Sequence, residues 1–173
     1  MSALEIVEAM NSEDKNVAET VKLALPEIAD AVNLIADRLF QGGRLIYVGA
    51  GTSGRLGVMD ASECPPTFGV SPELIQGLIA GGVSALTDEI EGAEDDSIAG
   101  ESVMKNTGVN RKDVVLGLSA SGTTPFVLAA MEYTKQQGSA RIGLACEMDS
   151  VLLKNVDVAI CVPVGPEILY GST

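Results

Sequence analysis

The chain has 173 residues, 46 % hydrophobic and 20 % charged, with a net charge of −13. That is enough for one globular domain with a core, too little for two full domains, and too apolar for a disordered chain. The acidity argues against nucleic acid and anionic membranes as partners, and the complete lack of histidine excludes a Ser-His-Asp triad, a Cys-His pair and any His-ligated metal.

In chain order, residues 4–41 are predicted to be helical. Asn11-Ser12-Glu13-Asp14 is expected to separate a short first helix from a second, with Ser12 as N-cap. Leu25-Pro26 permits a restart with proline in the first turn. Ile28, Val32, Ile35, Ala36 and Leu39 then recur at three and four, and Gly42-Gly43 ends the run. Residues 1–43 are therefore read as an N-terminal helical segment and 44–173 as one compact unit.

Five apolar runs follow, at 44–48, 73–79, 113–118, 140–145 and 157–162. Most are rich in Val, Ile and Leu without clean alternation, as in strands buried on both faces of a parallel sheet. Helical segments are expected at 53–62, at about 83–106 and at 124–137, with one turn inside 146–156. Strand–helix alternation of this kind predicts an α/β fold, a doubly wound parallel five-stranded sheet between helical layers.

Two strand-to-helix turns resemble each other: LIYVGAGTSGR and VVLGLSASGTTP. The first contains Gly49-Ala50-Gly51-Thr52-Ser53-Gly54, a G-x-G-x-x-G pattern after a strand. A dinucleotide site also needs an acidic residue at the end of the second strand. That strand ends Leu78-Ile79-Ala80-Gly81-Gly82, and Glu73 lies at its beginning. A P-loop is excluded because no Gly-Lys-Ser/Thr follows.

The remaining reading uses the hydroxyls. Gly51, Thr52, Ser53 and Gly54 at one helix start, and Ser119, Ser121, Gly122, Thr123 and Thr124 at the other, would present amide and hydroxyl donors to an anion. The same residues could be ordinary caps and tight-turn glycines. Two such turns at one sheet edge favour a phosphate site without a lysine. Arg55 could join the anion or pair with an acidic side chain.

Cys64, Cys146 and Cys161 are too few and too widely spaced for a disulfide framework or a zinc set. Met1-Ser2-Ala3-Leu4-Glu5 is no signal peptide and no apolar run reaches membrane-spanning length, so a cytoplasmic protein is expected.

The strings GGRLIYVGAGTSGRLGVMDASECPPTFGV, LIAGG, EGAEDD and SASGTTP closely resemble the N-acetylmuramic acid 6-phosphate etherases of the sugar isomerase (SIS) domain superfamily. Glucokinase regulatory protein is a more distant relative. The resemblance implies a flavodoxin-like SIS domain. It implies cleavage of the lactyl ether of an amino-sugar 6-phosphate, giving N-acetylglucosamine 6-phosphate and D-lactate in cell-wall recycling. It also implies no metal or organic cofactor, and a homodimer with the site near the subunit interface. It places the catalytic carboxylates at Glu63, in A-S-E-C-P-P, and Glu94, in E-G-A-E-D.

Two departures accompany the resemblance. Thr123 stands where most relatives carry arginine. Family members usually begin earlier and continue past Gly171-Ser172-Thr173 through a basic helix, so this chain is expected to be a fragment or a short homologue with little turnover of its own.

The implied chemistry requires one ionised and one protonated carboxyl. Glu63, beside Cys64-Pro65-Pro66, is expected in apolar surroundings that raise its pKa, which suits an acid. Glu94, within an acidic run, is assigned the base role or the activation of water. Asp60 is read as a structural group and Cys64 as packing. The rival function is a SIS module that binds a sugar phosphate without turning it over. A sugar-phosphate isomerase is disfavoured by the missing histidine.

Overall fold

The computed structural model describes residues 1–169, so the chain end at Gly171-Ser172-Thr173 lies outside the described residues. Two helices open the chain, α1 (Ala3–Leu23) and α2 (Leu25–Phe40). Contrary to expectation, Asn11–Asp14 does not break α1 and Ser12 is not a cap. The helix starts at Ser2 instead. There the Ser2 hydroxyl accepts from the Glu5 amide at 3.3 Å, and the Glu5 carboxylate accepts from the Ser2 amide. This reciprocal pair satisfies two orphan donors at once. α1 buries no residue, so its polar middle meets no packing constraint that would interrupt it. The break falls at Ala24, and Pro26 sits in the first turn of α2.

Five strands follow: β1 (Leu45–Gly49), β2 (Ile75–Ile79), β3 (Val114–Leu118), β4 (Ala140–Ala145) and β5 (Val158–Cys161). They form one parallel sheet in the order β2-β1-β3-β4-β5. Alternate residues of β1 face opposite layers. Ile46 and Val48 join a core with Met104, Phe126, Val127 and Met131, while Leu45 joins one with Ala24, Ala31 and Ile142. A strand walled in on both sides must be apolar at every position, which is why the runs do not alternate.

α3 (Gly51–Phe68) connects β1 to β2, and α5 (Pro125–Gln136) connects β3 to β4. α3 is longer than expected at both ends. Its Pro65 and Pro66 lie in the last turn, where their missing N–H groups leave the Ala61 and Ser62 carbonyls without their helical amide donors, and Gly69 closes it in the left-handed region. Between β2 and β3 the expected long helix is instead two 3₁₀ turns, Gly82–Leu86 and Ala93–Asp95, followed by α4 (Ser97–Thr107). The Asp96 carboxylate accepts from the Ala99 amide at 2.8 Å and sets the start of α4. The gap before β5 holds a single 3₁₀ turn, Leu153–Asn155.

The other end of the sheet is tied by a buried ion pair. Asp113, 1 % exposed, accepts from Arg44 Nη2 at 2.7 Å, from the Arg44 and Asn110 amides, and from Asn110 Nδ2. This joins the starts of β1 and β3. No described helix is long and apolar enough to cross a membrane.

Candidate functional site

Strand order reverses between β1 and β3, and the crevice at that reversal lies beyond the carboxyl ends of the strands. Both hydroxyl-rich turns open into it, because β1 ends at Gly49 and β3 at Leu118, paired in register.

At the first turn the residue in the N-cap position of α3 is Ala50, which has no side chain able to cap. The Gly51, Thr52 and Ser53 amides therefore point out of the helix start with no side-chain partner among the described residues. Gly54 differs. It is buried, its amide donates to the Ala50 carbonyl at 3.1 Å, and a Cβ there would lie 2.7 Å from Ile79 Cγ1. Its glycine is needed for close helix–strand packing, and it offers no free donor. The third glycine of G-x-G-x-x-G is thus accounted for without a nucleotide, and β2 carries no carboxylate at its carboxyl end.

At the second turn the donors face one another. Ser119 is buried, and its hydroxyl accepts from the Gly122 amide at 3.0 Å and shares a hydrogen bond with the Thr124 hydroxyl at 2.8 Å. The Ser121 hydroxyl accepts from the Thr123 amide at 3.3 Å and from the Thr123 hydroxyl at 3.0 Å. Thr124 precedes α5 but makes no capping bond. These hydroxyls are held near one another.

The crevice has two adjoining recesses. The smaller, about 100 Å³, is lined by Ala50, Ser53, Ser119, Ser121, Thr124 and Glu94. The larger, about 600 Å³, is lined by Thr52, Arg55, Asp88, Glu89, Glu91 and Glu94, among others. Glu94 and Ala50 belong to both. The 3₁₀ turn Ala93–Asp95 therefore carries Glu94 to the point where the recesses meet. Arg55 lines the larger recess and forms no salt bridge among the described residues. Its Nε donates to the Ala85 carbonyl at 2.9 Å and its Nη2 to the Asp88 carbonyl at 3.1 Å, fastening the acidic loop to α3.

Glu63 is not brought to this crevice. It lies twelve residues after Gly51 on α3, about 18 Å along the axis at 1.5 Å per residue. Its side chain is exposed, so Pro65 and Pro66 do not enclose it within one chain. Leu56 and Met59, at helical spacing on the same face, are also exposed. Asp60 accepts from the Tyr47 hydroxyl at 2.7 Å, which ties α3 to β1. Burial pushes the Cys64 thiol up, with the Asp60 and Glu63 charges adding to it, as befits a packing residue rather than a nucleophile. Burial likewise raises the Tyr47 phenol, reinforced by its bond to Asp60.

A parallel sheet in this order, with two hydroxyl-bearing turns at its switch point, is a SIS-type α/β domain. The same fold is seen in the structure of a phosphoheptose isomerase from Francisella tularensis, with a TM-score of 0.71 at 20 % identity over 94 % of this chain and 86 % of that one. The chain belongs to the SIS family described as the glucokinase regulatory protein N-terminal SIS domain, which matches residues 27–135. Over all 173 residues it is 50 % identical to an N-acetylmuramic acid 6-phosphate etherase from Pasteurella multocida (strain Pm70) and 53 % identical to one from Serratia proteamaculans (strain 568). The chain spans 58 % of the length of each of these curated relatives.

Proposed function

We propose that this chain carries the substrate-binding part and the carboxylates of an N-acetylmuramic acid 6-phosphate etherase, acting in cytoplasmic amino-sugar recycling. The observation that carries the reading is the position of Glu94, shared by a small hydroxyl-lined recess and a larger acidic cleft. The small recess takes the phosphate. Ser53 and the Ser119, Ser121 and Thr124 hydroxyls line it, the Gly51 and Thr52 amides approach from the adjoining recess, Thr123 joins through its bond to Ser121, and the positive end of α3 adds to their field. The sugar lies in the larger cleft, with Glu94 beside it. Identity of about half to the named etherases over the whole chain supports the choice of substrate.

In the ring-opened sugar the C2 proton is acidified by the neighbouring aldehyde. Glu94 removes it, the C3–O bond breaks, and the lactate oxygen receives a proton. Water then adds across the C2–C3 double bond and Glu94 returns its proton to C2. Glu63 is the proton donor to lactate, and it reaches the cleft of a second copy. The exposed Leu56–Met59–Glu63 face of α3 is the surface through which a homodimer would present it.

Calorimetric titration with N-acetylglucosamine 6-phosphate, N-acetylglucosamine and NAD tests the site. Binding of the phosphorylated sugar alone is expected. The Ser121→Ala variant should bind it about 3- to 10-fold more weakly, as loss of one hydrogen bond implies. Tight NAD binding with no sugar-phosphate binding would overturn the reading. The distance of Glu63 from the cleft within one chain favours a second reading, a sugar-phosphate-binding regulatory module without turnover. Release of D-lactate from the 6-phosphate substrate separates the two.

A further inference from the structure

The phosphate turn rests on a segment distant in sequence. The Cys146 amide donates to the Ala120 carbonyl at 2.8 Å, and the Leu152 amide donates to the Gly122 carbonyl at 3.0 Å. The connection between β4 and β5 thus lies against the Ser119–Thr124 turn. Within it, Ser150 is 3 % exposed, and its hydroxyl has no hydrogen-bond partner among the described residues. That hydroxyl abuts Gly122. A Cβ at residue 122 would overlap both Cβ and Oγ of Ser150, and Gly122 has a φ of +63°.

A buried hydroxyl left without a partner is costly, and an alanine of the same shape would avoid the cost. The turn beside it meanwhile has its own donors folded inward, with the Gly122 amide on Ser119 Oγ and the Thr123 amide on Ser121 Oγ. The Ser121 hydroxyl accepts from Thr123 and keeps its own proton for an anion, whereas the Gly122 and Thr123 amides must leave their present partners to reach one.

We infer that Ser150 is a positioning residue for phosphate, whose hydroxyl hydrogen-bonds the backbone at Gly122 when the turn opens its donors to the anion. The inference rests on the phosphate reading of this turn. Ser150 does not touch the substrate. It completes the bonding of the rearranged turn from behind. Glycine at 122 leaves the room that this approach requires.

The test compares the parent with Ser150→Ala in two measurements: the melting temperature without ligand, and calorimetric affinity for N-acetylglucosamine 6-phosphate and inorganic phosphate. The variant should melt at or above the parent temperature and bind both phosphates about 3- to 10-fold more weakly, the effect of one lost hydrogen bond. A purely structural role would do the reverse, lowering the melting temperature and leaving affinity unchanged, and would overturn the inference. A parent that binds neither phosphate would overturn the phosphate reading, and the role of Ser150 with it. Unchanged binding by the variant beside a parent that binds would overturn Ser150 alone. Should the alanine variant fail to fold, Ser150→Cys keeps the shape with a much weaker hydrogen bond and gives the same comparison.

Discussion

The Arg55 guanidinium donates to the Asp88 carbonyl across 33 residues, while its Nε holds the Ala85 carbonyl. One side chain from the glycine-rich turn thereby clamps the loop that delivers Glu94. Hydrogen bonds from a charged donor are worth about 1.5–3 kcal/mol each, and less where water competes. Arg55→Ala should release the loop. Hydrogen exchange followed by mass spectrometry should show faster exchange across residues 85–96, with the sheet unchanged. Unaltered exchange there would remove Arg55 from this role.

If Glu63 enters the cleft of a second copy, the two carboxylates complement in trans. In a preparation that releases lactate, Glu63→Gln and Glu94→Gln should each lower the rate by about 10²–10⁴-fold, the usual worth of general acid–base catalysis. Mixing the two inactive proteins should restore activity, because a mixed dimer has one cleft with both carboxylates. No recovery after confirmed subunit exchange would place both groups in one chain or rule out the shared site.

Tyr47 and Cys64 are both held neutral by burial, with the Asp60 charge adding to it. Raised values in the fold mean that the unfolded chain ionises first as the pH climbs. Their contribution is fully present below the unfolded values, about 8.5 for the thiol and 10 for the phenol, and is lost above them. Melting temperature should therefore fall above about pH 8.5 and more steeply above about pH 10. Tyr47→Phe should flatten the second fall, since its ring keeps the packing without the ionisable group. A profile identical to the parent would show that the phenol does not contribute.

The Asp113 carboxylate gathers donors from Arg44 and Asn110 at the start of the sheet. Asp113→Asn would turn an amide donor toward them. It should cost about 1.5–3 kcal/mol, the range for hydrogen bonds to a charged group, in urea unfolding at neutral pH. Sugar-phosphate affinity should persist, because the ion pair lies at the opposite end of the strands from the crevice. Equal loss of binding and stability would contradict that separation.

The five strands were legible because a chain buried on both faces must be apolar throughout, and β1 to β5 each fall within two residues of an apolar run. The two turns were legible because glycine and hydroxyl residues cluster where strands end. Element boundaries were less so. Ser2 and Glu5 spell a capping box, yet the polar Asn11–Asp14 looked like a stop, and only the absence of packing on α1 lets the helix run through. The stretch at about 83–106 reads as one helix, yet only its last part, α4, is α-helical, with Gly82–Leu86 and Ala93–Asp95 as 3₁₀ turns before it.

What the sequence determined by itself was the class of fold and the kind of donor at each turn, since both follow from local periodicity and residue chemistry. The tertiary structure alone decided which of these groups meet. It set Glu94 between the two recesses and left Glu63 about three turns down α3, facing outward. It set the Arg55 guanidinium on the Ala85 and Asp88 carbonyls and placed Ser150 behind Gly122. Those relations depend on strand order and on the path of the connections, which bring residues tens of positions apart into contact, and no local pattern encodes them.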